Sequence, residues 1–146
     1  MLTARAYGSR IALVGAIDDA ADCVEILDHA TPRGLALDLG GVRFINSIGV
    51  REWIRMLAAA QKKNIQLTLH RVPVVMVHQF NLVPATRGGT IATFMTPYVC
   101  EECDHEMEIE LTPAEAKALP DKLCPDCKKQ NMVLRDPPAI YLQFLA

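Results

Sequence analysis

The spacing of apolar residues changes period several times along the chain, and each change predicts an element. Residues 2–7 and 11–17 read as two strands joined at Gly8-Ser9, so the chain opens with a hairpin. Ala20, Cys23, Val24, Ile26, Leu27 and Ala30 then recur at helical spacing, with Asp22, Glu25, Asp28 and His29 between them. This predicts a short amphipathic helix over 19–30, with Cys23 as a small core residue, ended by Pro32 and Gly34. Residues 34–39 are apolar enough for a strand buried on both faces. Gly40-Gly41 is expected to break that strand, and residues 42–45 carry the chain to Asn46.

From Ile48 the period is helical again. Val50, Trp53, Ile54, Leu57 and Ala60 share one face, while Arg51, Glu52, Arg55 and Lys62 share the other. Asn46 is the expected N-cap of this helix over 46–63, which places Ser47 at the first helical position and at the positive end of the helix dipole. Asn64 turns the chain into a strand over 65–69, Pro73 starts a helix over 73–80, and Gly88-Gly89 leads to a last strand over 90–95. The predicted fold class is α/β, with a mixed β-sheet covered by helices.

Phe44-Ile45-Asn46-Ser47-Ile48-Gly49, following a strand that carries Asp38 and opening an amphipathic helix, resembles the signature of a STAS domain, the fold of the anti-sigma-factor antagonists. The end of the second strand, Gly15-Ala16-Ile17-Asp18, also resembles that family, and the element order matches it over residues 1–96. The family motif usually reads Asp-Ser-Ser/Thr-Gly. Here Asn46 stands for the aspartate, Ile48 for the second hydroxyl residue and Gly49 for the glycine. The resemblance implies that Ser47 is phosphorylated by an anti-sigma-type serine kinase. It also implies that Asp18, Asn46, Gly49, Arg51 and Arg55 face that kinase or another signalling protein. Read without the family, Ser47 is a first-turn polar residue and Asp18 or Asp19 an N-cap for the next helix. The family's closing helix is not evident after Met95.

The remaining residues, 97–146, carry different chemistry. Cys100-Glu-Glu-Cys103 and Cys124-Pro-Asp-Cys127 are two CxxC pairs with twenty residues between them. Two such turns aim four thiolates at one tetrahedral centre, so a structural Zn2+ held by Cys100, Cys103, Cys124 and Cys127 in a small zinc ribbon is expected. A strand over 107–111, a helix opened by Thr112-Pro113-Ala114-Glu115 and running to Leu119, and further strands at 132–134 and 140–145 complete that module. His105 is expected to be an exposed histidine rather than a substitute ligand.

Charge then narrows the function. The chain has a formal net charge of -2, and nine acids face four lysines between residues 98 and 129. Such a ribbon repels phosphate backbones, so no nucleic-acid partner is expected. No apolar run has membrane-span length, and residues 11–17 run into Asp18-Asp19 without a cleavage-type ending, which predicts a soluble, cytoplasmic protein without a membrane role. Ser47 lies in no Gly-x-Ser-x-Gly elbow, and a closed four-cysteine shell leaves no position for a water nucleophile, so no enzyme activity is expected. The expected function is a regulatory protein-interaction module. The alternatives are an unphosphorylated STAS scaffold in a signalling complex, a thiol-redox enzyme, or a nucleic-acid adaptor acting through the cysteine pairs.

Overall fold

Strands β1 (Thr3–Tyr7) and β2 (Arg10–Ile17) form the expected antiparallel hairpin, with Tyr7 opposite Arg10 and Thr3 opposite Val14. The computed structural model describes residues 1–146 and builds an α/β fold on this hairpin. Strands β3 (Leu35–Ile45), β4 (Leu67–His70) and β5 (Thr90–Ile91) add in parallel, giving the order β1-β2-β3-β4-β5. Leu13, Ile17, Leu35, Leu37, Leu39, Leu67 and Leu69 bury the inner face of this sheet. Against them pack Trp53, Met56 and Ala60 of helix α1 (Ser47–Lys62) and Met76, Val77 and Phe80 of helix α2 (Val74–Leu82). The Trp53 indole N–H donates to the Thr86 carbonyl at 2.9 Å, so the largest core side chain keeps its polar end paired.

Several expectations are corrected. The strand does not break at Gly40-Gly41: β3 runs through both glycines, a register shift against β2 between Asp38 and Gly41 absorbs them as a bend, and a second shift follows between Val42 and Phe44. The helix expected over 19–30 is only a 3-10 turn, Val24–His29. Its would-be first turn is taken by side chains, because the Asp18 carboxylate accepts from Ala20 N–H and the Asp22 carboxylate from Glu25 N–H. Cys23 is fully buried, as expected. The strand expected over 90–95 is two strands. β5 ends at Ile91, and β6 (Phe94–Val99) belongs to a second sheet.

That second sheet has the order β7-β6-β9-β8, with β7 (Glu106–Leu111), β8 (Lys122–Leu123) and β9 (Asn131–Leu134). The expected division of the chain at residue 96 falls inside β6. The Thr112-Glu115 capping box forms with reciprocal hydrogen bonds, but it opens only a 3-10 turn, Glu115–Lys117. Residues 140–145 are not a strand. Pro137 and Pro138 start a short helix α3 (Pro138–Tyr141), and the 3-10 turn Leu142–Leu145 follows. This puts Tyr141 and Phe144 on one side, where they bury against α2 and β6. Phe144 meets Phe94 edge-on at 5.2 Å and Phe80 at 6.1 Å, and the Tyr141 hydroxyl donates to the Met95 carbonyl at 2.6 Å. The end of the chain therefore joins the cysteine-bearing sheet to the main core.

Gly49 shows how tightly α1 sits on β2. It is buried, and a Cβ there would overlap the Ile17 carbonyl. Gly49→Ala is expected to cost about 1–3 kcal/mol as overpacking against a backbone that has no rotamer to yield. A urea unfolding curve identical to that of the unaltered protein would contradict this packing.

Candidate functional site

Each cysteine pair sits in the same backbone turn. Cys100 N–H donates to the His105 carbonyl at 2.8 Å and Asp104 N–H returns to the Cys100 carbonyl at 2.8 Å. In the second turn Cys124 N–H donates to Gln130 at 3.0 Å and Lys128 N–H to Cys124 at 3.1 Å. Asp104 and Lys128, each following the second cysteine of its pair, take positive φ of 62° and 57°. β6 delivers the first turn and β8–β9 frame the second, so the two turns face each other.

The result is a compact sulfur cluster. The four Sγ atoms all lie within 4.8 Å of one another, with Cys100 to Cys127 and Cys103 to Cys124 both at 3.6 Å. A tetrahedral ion bound at about 2.3 Å to each sulfur requires sulfur–sulfur edges of about 3.8 Å. Cys100, Cys103, Cys124 and Cys127 thus suit a metal ion in both donor chemistry and spacing. Cys100 and Cys124 are buried and Cys103 is nearest solvent. His105 is half-buried and gives its main-chain carbonyl, not its ring, to the turn.

Four thiols at this distance cannot all ionise unaided. The Cys103 amide, helped by that of Glu102, holds the Cys100 thiol down to about 7. Cys103 accepts from the His105 amide, yet partial desolvation of its sulfur and the thiols of Cys124, Cys100 and Cys127 push it up to about 12. A cation at the centre removes that conflict by neutralising the charge the cluster would otherwise resist.

The second group of expected site residues gathers at the ends of β2 and β3. Asn46 N–H donates to the Ile17 carbonyl at 3.3 Å, which ties the loop before α1 to the end of β2. The Asn46 side-chain oxygen accepts from Gly49 N–H at 2.8 Å, the expected cap. Ser47 is exposed at the first helical position, and Arg51 is exposed one turn further along. Asp18 follows Ile17 directly and is half-buried, its carboxylate occupied by Ala20 N–H rather than by a helix start. Arg55 lies further along α1 in a surface pair with Glu52 at 3.0 Å. Gly49, expected on the partner-facing side, is buried, so its part is close packing rather than contact.

Two features around this loop escaped the sequence reading. Phe44 and Ile48, close to Ser47 along the chain, remain 51% and 43% exposed, so the loop carries apolar surface as well as the hydroxyl. Phe44 comes after the extra residue that β3 spends against β2 between Val42 and Phe44, a register shift that only the pairing shows. Asp38, inside the apolar strand, is 5% exposed and bound by Arg71, whose Nε lies 2.9 and 3.2 Å from its two oxygens. Gly40 N–H completes the carboxylate's shell at 2.9 Å, and the guanidinium lies across Gly40 where a Cβ would come within 2.5 Å of it. The hydrogen bond to Asp38 raises the Arg71 pKa above its ordinary value. This pair braces β3 against the end of β4, and no sequence pattern marked it.

Thiol counting separates the five cysteines. Burial, followed by the charges of Glu52 and Asp22, pushes the Cys23 thiol up to about 12, so it stays protonated and shielded near neutral pH. The metal-loaded protein is expected to expose no thiol to a disulfide reagent at pH 8. Chelation should release the four clustered thiols, and denaturation should add Cys23. Rapid reaction of the pairs before chelator is added would contradict a closed metal centre.

No protein-family model and no curated protein matches this chain. No helix is long and apolar enough to cross a membrane.

Proposed function

We propose that this chain is a non-enzymatic regulatory module of the STAS type, with Ser47 as its phosphorylation switch and a structural zinc ribbon fused to the sheet. The observation that carries the reading is the exposed Ser47 hydroxyl at the start of α1, between exposed Phe44 and Ile48. That surface has the composition of a contact face: apolar ground on which a partner can dock, with one modifiable hydroxyl.

A phosphate there would add up to about two negative charges. The first-turn amides and the helix dipole accommodate them, and Arg51 stands one turn away on the same helix. A partner seated on Phe44 and Ile48 would have to desolvate the same charge, so phosphorylation releases one partner or selects another without unfolding the domain. The partner of this reading is an anti-sigma-type serine kinase or another signalling protein. The sulfur-only donor set favours zinc, which closes a four-cysteine shell without redox chemistry. Its task is to hold β6–β9 folded, with the protein acting in a reducing, cytoplasmic setting.

A scaffold that presents the same face unphosphorylated is the second reading. It is favoured by Asn46, whose side chain is spent on capping Gly49 N–H.

The test is peptide mass spectrometry of protein purified from its own host across growth conditions. Phosphate on Ser47, lost in Ser47→Ala, is the expected result. Absence of phosphate from Ser47 under every condition would leave the scaffold.

A further inference from the structure

The face of the main sheet opposite the helices is open at its β1–β2 end. Arg5 and Tyr7 on β1, Arg10 and Val14 on β2, and His70 on β4 lie on it, and the Arg71 side chain crosses onto it. Arg5, Tyr7 and Val14 are exposed. The acid on this face, Asp38, is already held by Arg71, whereas Arg5 and Arg10 make no ion pair. On the free edge of the second sheet, β7 presents Glu106, Glu108 and Glu110 at alternate positions, so all three point the same way. They are exposed and without a cationic partner.

These two rows adjoin: Glu108 lines one cleft together with Gly40, Arg43 and Arg71, which places the acidic row beside the arginine face. The division of charge runs through the whole chain: residues 1–96 hold ten basic and seven acidic groups, and residues 97–146 hold five and ten. Opposite charges side by side on one surface are what a two-fold axis needs, since each copy then offers the other both signs. A long polyanion laid along the arginines would run into the glutamates instead.

We propose that the open end of this sheet face binds a second copy of this chain in an isologous dimer. The Arg5–Arg10 face of each protomer meets the Glu106–Glu108–Glu110 row of its partner, and Tyr7 and Val14 supply apolar contact between the charges. The Ser47 loop takes no part, so the dimer stands or falls independently of the switch.

Sedimentation analysis of the metal-loaded protein tests this at low salt and at about 1 M salt, where the Debye length falls to about 3 Å. A dimer that weakens at least tenfold at high salt is expected. Arg5→Glu/Arg10→Glu and Glu108→Lys/Glu110→Lys should each be monomeric, and mixing the two variants should restore a heterodimer. That restoration also shows that both variants fold. A monomer at every salt concentration, or a dimer indifferent to both reversals, would overturn the proposal. So would salt-sensitive binding of a single-stranded poly(U) probe to the arginine face of a monomer.

Discussion

Four sulfur atoms within 4.8 Å of one another are the constraint on which the last third of the chain depends. Strands of two and four residues, β8 and β9, have too little apolar surface to hold a sheet by themselves. Around them only Tyr98, Cys100, Cys124 and Met132 form a buried cluster. The cysteine turns supply what that cluster lacks, because each fixes its backbone through two hydrogen bonds at its first cysteine and aims two thiols at one point. A bound cation converts mutual repulsion into cohesion, worth roughly 10–16 kcal/mol for structural zinc in small peptides.

The consequences reach beyond the cluster. β6 carries Cys100 at one end and Phe94 at the other, and Phe94 is part of the main core with Leu111, Tyr141 and Phe144. β6 thus links the cysteine turns to the surface on which α3 docks against α2. The loop at Ser47 rests on other supports: Ile17, Asn46 and Gly49 lock it to β2, and the Asp38–Arg71 brace stiffens the strand leading into it. The Ser47 loop and the cysteine turns are thus held by different hydrogen bonds, the loop by Ile17 and Asn46 and the turns by His105 and Gln130.

Much of this was legible in the chain because it rests on local rules. Alternation and helical period placed the hairpin, α1 and β4, the Asn46 cap followed from residue type, and CxxC spacing located all four sulfurs. What was not legible depends on partners distant in sequence. Gly40-Gly41 reads as a breaker locally, but pairing with β2 carries the strand through it as a bend. Ile140, Tyr141 and Phe144 read as a strand until Pro137 and the groove beside α2 make them helical. Asp38 looked like part of a strand end, and only Arg71, thirty-three residues later, explains its burial. Gly49 resembled a contact residue in a motif, whereas the Ile17 carbonyl makes it a packing residue.

Hydrogen–deuterium exchange on metal-loaded and metal-stripped protein tests the central claim most directly, namely that a cation folds the ribbon while the sheet bearing Ser47 stands on its own core. Stripping the metal should abolish protection across β6–β9 and loosen α3, with β2–β4 and α1 retaining theirs. Unchanged protection around Cys100 and Cys124, or collapse of the whole sheet, would contradict it.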